Sequence, residues 1–173
     1  MDTIKSCAIC NHSPAPYWHL LPDTFSAEAG HVCTRCFATL ETAAQTEEDD
    51  PDGTTDAWKE AHAAVAVLGL PRVFRALRKA GVYARASYSC CGRCGAVEAL
   101  AVMEEQPTKY RGFAFYTKQD NPVEDGGVHL KYGAADDAGT LAVGNQVRDA
   151  LVDAGFTVEW NGDINECLWV VLA

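Results

Sequence analysis

Residues 71–95, PRVFRALRKAGVYARASYSCCGRCG, change periodicity once and then run into a cluster of cysteines. How that change is read decides the fold. PRVFRALRKAG has the spacing of a helix, with Pro71 in its first turn and Gly81 as a natural C-terminal cap. VYARASYS then alternates Val82, Ala84, Ala86 and Tyr88 against their neighbours, which is the period of a strand. The strand feeds directly into Cys90, Cys91 and Cys94, three cysteines in five positions.

Working outward toward the C-terminus, AVEALAVMEE reads as a short helix, and GFAFYTK and VHLKY as strands separated by the turn-rich QDNPVEDGG. TLAVGNQVRDALVDAG places Val143, Val147, Leu151 and Ala154 on one face and ends at Gly155, the pattern of an amphipathic helix. FTVEW and CLWVVL flank NGDINE as a terminal hairpin. Toward the N-terminus, AWKEAHAAVAVLGL sets Trp58, Ala61, Val65 and Leu68 at helical spacing behind a cap at Asp56, and Gly69 with Pro71 is expected to stop it. Residues 57–173 are therefore expected to be an α+β domain with about five strands in one sheet and helices packed on it.

The stretch before it, QTEEDDPDGTTD over 45–56, holds six acids, a proline and a glycine, and reads as an acidic linker. Residues 1–44 form a separate cysteine module. In CAIC and CTRC, Cys7, Cys10, Cys33 and Cys36 make two CxxC knuckles 22 residues apart, the four thiolates that tetrahedral zinc requires. The module resembles a treble-clef zinc finger over residues 7 to about 44, in which the second knuckle opens a helix, here CFATLETAAQ. A segment this short has too small a core to fold without such a staple. Four thiolates close the coordination shell, so this zinc is expected to be structural. The insert PAPYWHLLPDTF is either hairpin filling or a partner-facing surface.

Composition bounds what the protein can do. The 173 residues are 48% hydrophobic and 22% charged, with no apolar run long enough for a membrane span. MDTIKSCAIC has neither the basic nor the apolar region of a secretory signal, so a cytoplasmic location is expected, where eight cysteines read as metal ligands or free thiols. The net charge of −10 is uneven: about −1 over residues 1–36, −7 over 37–60, +5 over 61–111 and −7 over 112–173. Arg72, Arg75, Arg78, Lys79, Arg85 and Arg93 follow one another without an intervening acid. They could meet a phosphate backbone or an acidic partner, or pair with the protein's own acids.

Cys91 and Cys94, in CGRCG, form a third knuckle, with Cys90 just ahead of it. Three readings stay open. The set is a second zinc site completed by Cys167 or His129, a group of structural thiols, or a reactive thiol whose pKa Arg93 and Arg85 would lower. His129 alternates out of step with Val128, Leu130 and Tyr132, so it is expected on the opposite face of its strand.

Residues 73–173 resemble an uncharacterised bacterial domain-of-unknown-function family. The likeness is carried by FRALRKAGVYARASYSCCGRCG, GFAFYTKQD, GGVHLKYG and VGNQVRDALVDAGFTVEWNGD. By that resemblance Cys90, Cys91, Cys94 and Gly95 match a cysteine element, Gln119 and Asp120 a Gln-Asp pair, and Trp160 with Gly162 a late turn. The chain departs at Thr117, where the resemblance implies a histidine, and it brings no activity with it.

The acids Asp120, Glu124, Asp125, Asp136 and Asp137 fall in turn-rich segments and read as solvated faces, and there is no GxxxxGK[ST], HExxH or GxSxG. The expectation is a zinc-stabilised, non-enzymatic protein-interaction protein, with an inhibitor or immunity-type binder of a basic partner as one form. The alternatives are a nucleic-acid-associated regulator using the zinc module and the Arg72–Arg93 run, and a thiol enzyme using Cys91 or Cys94.

Overall fold

The computed structural model describes residues 18–20, 31–50, 52–120, 122 and 125–172. The described chain falls into two compact units that divide between Arg72 and Val73. In the first, β1 (Trp18–Leu20) pairs antiparallel with β2 (His31–Cys33), and α1 (Thr34–Asp49) follows without a break. Helix α1 buries Cys36, Leu40 and Ala43, one stripe at helical spacing. It is longer than CFATLETAAQ implies. The acidic stretch expected as a linker over 45–56 is helical to Asp49, and just beyond it the Asp50 carboxylate accepts from the Thr55 amide at 2.7 Å. Acidic side chains point to solvent as readily from a helix as from a coil, so acidity alone could not separate the two.

Helix α2 (Asp56–Lys79) is assigned as one helix that includes Gly69 and Pro71, where the sequence suggests two helices. Pro71 removes one backbone hydrogen bond, at a cost of about 3 kcal/mol in a helix interior. Leu70, Val73, Phe74 and Leu77, all buried, recur on one face across that point and offset the cost. The helix ends as expected at Gly81, whose φ of 85° only glycine adopts freely.

The second unit is a mixed five-stranded sheet in the order β3-β4-β5-β7-β6, with β3 (Val82–Arg85) parallel to β4 (Gly112–Phe115) and every other pairing antiparallel. The two parallel strands are joined by α3 (Gly92–Glu105), a right-sized crossover. β5 (Gly127–Gly133), α4 (Asp137–Asp153), β6 (Thr157–Glu159) and β7 (Leu168–Val171) complete the α+β domain.

Strand alternation gives the sheet two unlike faces. One carries Val82, Ala84, Ala114, Val128, Leu130, Leu168 and Val170, all buried, and is met by the Val143, Val147 and Leu151 face of α4. The other carries Tyr83, Phe113 and Phe115, which form an aromatic cluster with Ala99 and Met103 of α3 and with Tyr110. Farther along that second face lie Lys131, exposed His129 and half-buried Trp169. Gly127 leaves room for the Trp169 indole, since a Cβ there would lie 2.2 Å from it.

Candidate metal centre

Cys90, Cys91 and Cys94 sit at the junction of β3 and α3. The strand ends at Arg85, four residues earlier than the alternation suggests, because Ser87 and Ser89 take φ values of 49° and 56°. Such left-handed conformations cost a non-glycine residue about 1–3 kcal/mol and persist only where the surroundings enforce them. Here the Tyr88 amide donates to the Tyr116 carbonyl at 2.8 Å, the Lys118 amide to the Ser89 carbonyl at 3.2 Å, and the Ser89 hydroxyl to Glu98 at 2.9 Å. Tyr88 packs edge-on against Tyr83 and Phe115. The cysteine loop is therefore tied to β4 on one side and to α3 on the other.

Helix α3 starts at Gly92, so the cysteine element is its cap and first turn rather than a free-standing knuckle ahead of it. Cys91 is the N-cap, in extended conformation, and makes no capping hydrogen bond. Gly95 seats this turn on the sheet. A Cβ at that position would lie 2.5 Å from Cε2 of Phe115, so only glycine lets the helix approach so closely. Gly92 lies along the stem of Lys131, 3.5 Å from where its own Cβ would be.

The three sulfurs lie within 4.8 Å of one another, and the thiols reach solvent. Tetrahedral zinc with bonds of about 2.3 Å holds its sulfurs about 3.8 Å apart. The donor set therefore fits a borderline-soft divalent ion after small side-chain rotations, and Cys90, Cys91 and Cys94 are positioned to bind a metal. The electrostatics are graded within the group. The Cys94 amide and thiol favour the Cys91 thiolate and hold its pKa below the ordinary thiol value, while Cys94, donating to Cys91 and Cys90, is pushed up to about 11.

Neither Cys167 nor His129 belongs to the three-sulfur group. His129 lies on the face opposite Leu130, as its alternation implies, with its ring 4.5 Å from that of Trp169. Partial burial pushes the Cys167 thiol up, with Lys131 working against it and Asp120 with it, so Cys167 lies in the surroundings of Lys131 and Asp120. Lys131 Nζ donates to Asp120 at 3.0 and 3.1 Å and to the His129 carbonyl at 3.2 Å. Asp120 also accepts from the Thr117 amide and hydroxyl, at 2.7 and 2.6 Å. Partial burial raises the Asp120 carboxyl, but Thr117 and Lys131 outweigh it and the net shift is downward. Thr117, only 2% exposed, thus anchors Asp120 where the sequence resemblance implied a histidine.

Of the zinc-module residues, Cys7 and Cys10 lie outside the described residues. Cys33 closes β2, and Cys36 is buried in the first turn of α1. The members of the basic run differ in what they do. Arg78 turns inward to donate to the Ala84 carbonyl at 2.7 Å, and burial, then Arg85 and Arg75, lower its pKa. Arg85 lies over the Tyr83 ring, whereas Arg72 and Arg93 are exposed on α2 and α3, and Arg75 is half-buried on α2. Lys79 lines a shallow hollow of about 370 Å³ with Lys109 and Arg111, two cations the sequence reading did not single out. Lys131 was also missed. The signal was there: it stands two residues after His129 on the polar face of a strand whose other face is apolar.

Among the described residues, no helix is long and apolar enough to cross a membrane. No curated protein and no solved structure matches the chain significantly. A family model does match, over residues 41–172, beginning inside α1 and reaching the last strand. That span is most of the chain, and the protein accordingly belongs to the family described as Domain of unknown function (DUF6891).

Proposed function

We propose that this protein is a zinc-thiolate protein whose second unit carries a three-cysteine metal centre at Cys90, Cys91 and Cys94. The observation that carries the reading is the convergence of three solvent-reaching sulfurs within 4.8 Å at the start of α3. Thiolate donors select zinc and other soft ions over magnesium or calcium. Cys7, Cys10, Cys33 and Cys36 supply a second, closed zinc site in the N-terminal unit, read from their spacing.

The test is zinc content of the full chain by native mass spectrometry. Two ions per chain are expected, falling to one in Cys91→Ser and in Cys94→Ser. An unchanged count in both variants would sink the reading.

The acidic surface supports the further reading of a cytoplasmic partner-binding protein, with a basic protein as the partner. Net charge of −10 favours encounter with such a surface and opposes nucleic acid. Arg78, committed to the Ala84 carbonyl, is withdrawn from the Arg72–Arg93 run, which weakens the case for a phosphate-tracking stripe. Affinity purification should return a basic protein whose binding weakens with salt; recovery of nucleic acid instead would favour the alternative.

A further inference from the structure

Resting on the three-cysteine metal reading, we infer that the fourth coordination position of this centre takes an external thiol, bound as its thiolate. Three thiolates leave a tetrahedral ion one position short. The Cys90 and Cys94 thiols are exposed, and among the described residues no other Cys, His, Asp or Glu joins the three sulfurs.

The surroundings argue for a soft ligand rather than an activated water. Three thiolates already donate heavily to the ion and blunt its power to acidify water, and such a centre prefers sulfur. A hydrolytic centre would also need a base beside the water. Of the carboxylates around the loop, Glu98 accepts from the Ser89 hydroxyl, and the oxygens of part-buried Asp120 are occupied by Thr117 and Lys131. The His129 ring is turned against Trp169. Charge runs the same way. A divalent ion with four thiolates carries a net −2, and Arg93, in the first turn of α3 between two of the ligands, is exposed and makes no ion pair among the described residues. The helix start adds backbone amides to that positive field. On binding, the metal–sulfur bond forms and the thiol proton leaves to solvent.

The experiment is titration of 2-mercaptoethanol into the cobalt(II)-substituted full chain. The closed N-terminal site cancels in the difference spectrum. A saturable rise in thiolate-to-cobalt charge transfer is expected, from that of three thiolates to that of four. It should vanish in Cys94→Ser, persist in Cys167→Ser, and need severalfold more thiol in Arg93→Gln. No saturable change at full cobalt occupancy overturns the inference. So does a four-thiolate spectrum before any addition that falls to three in Cys167→Ser, because the chain then fills the position itself. Failure of the metal reading is separate: cobalt stoichiometry would be the same in Cys94→Ser as in the unaltered chain.

Discussion

Helix α4 leaves an extended residue, Asp136 at φ −143° and ψ 170°, and helix α3 leaves another, Cys91 at φ −156° and ψ 170°. The two starts share a backbone and differ in what the side chain does with it. The Asp136 carboxylate accepts from the amide three residues on, Gly139, at 2.7 Å, which satisfies a donor the helix would otherwise leave open. At the same offset in α3, the Cys94 amide favours the Cys91 thiolate without a capping hydrogen bond. One helix start is used for stability, and the other keeps its amides for sulfur. The faces beneath repeat the contrast: Val143, Val147 and Leu151 hold α4 with aliphatic bulk, whereas α3 is seated through Gly95, Ala99 and Met103.

The contrast breaks most visibly at Leu151, fully buried under α4. Leu151→Ala should cost about 2–5 kcal/mol in urea denaturation and leave zinc stoichiometry at its original value. Loss of one zinc per folded chain would show that the two sides are coupled. Gly95→Ala is the α3 counterpart. Its methyl would drive Phe115 or the helix aside, costing about 1–3 kcal/mol, and because the same turn carries Cys91 and Cys94 it should also weaken zinc binding. Stability loss with unchanged zinc affinity would mean that the close approach serves packing alone.

Exchanging the caps sharpens the comparison at smaller cost. Asp136→Ala should lose about 1 kcal/mol. Cys91→Ser should move the other way in the metal-free protein, raising Tm by about 2 °C, because serine caps a helix and a thiol does so poorly. With zinc added the same change should lower Tm, because the proposed centre loses one of its three converging sulfurs. A Cys91→Ser chain no more stable than the metal-free parent would show that the thiol already serves as the cap.

These differences explain which parts of the structure were legible in the sequence. The strands at β5, β6 and β7 and the face of α4 followed from alternation and from Val143, Val147 and Leu151, where local pattern and tertiary burial agree. Pro71 misled because burial of Leu70, Val73, Phe74 and Leu77 overrides a local breaker, and acidic composition over 45–49 does not by itself separate helix from coil. Cys90, Cys91 and Cys94 were visible as a group. Their role as the first turn of α3 was not, because it depends on Gly95 against Phe115, a contact 20 residues distant in sequence. Lys131 and Asp120 were unreadable as partners for the same reason, since their meeting needs β5 in register with β4.

That ion pair gives the smallest effect and the finest test of the contrast, because it lies on the α3 side and serves the fold rather than the sulfurs. The Asp120 carboxyl is held below its ordinary pKa in the folded chain, so the unfolded chain binds the extra proton first. Its contribution is therefore fully present above the ordinary carboxylate range and is lost as pH falls through the folded value. Asp120→Asn should lower stability at neutral pH by about 1 kcal/mol or less, given the partial exposure of Lys131, and the gap to the parent should close on acidification. A gap that stays constant with pH would mean that shape at Thr117, not charge, is what Asp120 supplies. Zinc stoichiometry at neutral pH should be the same in both proteins, since neither Asp120 nor Lys131 is among the three converging donors. A drop in zinc on this substitution would merge the two roles that the helix starts keep apart, and would place the ion pair within the metal centre's own support.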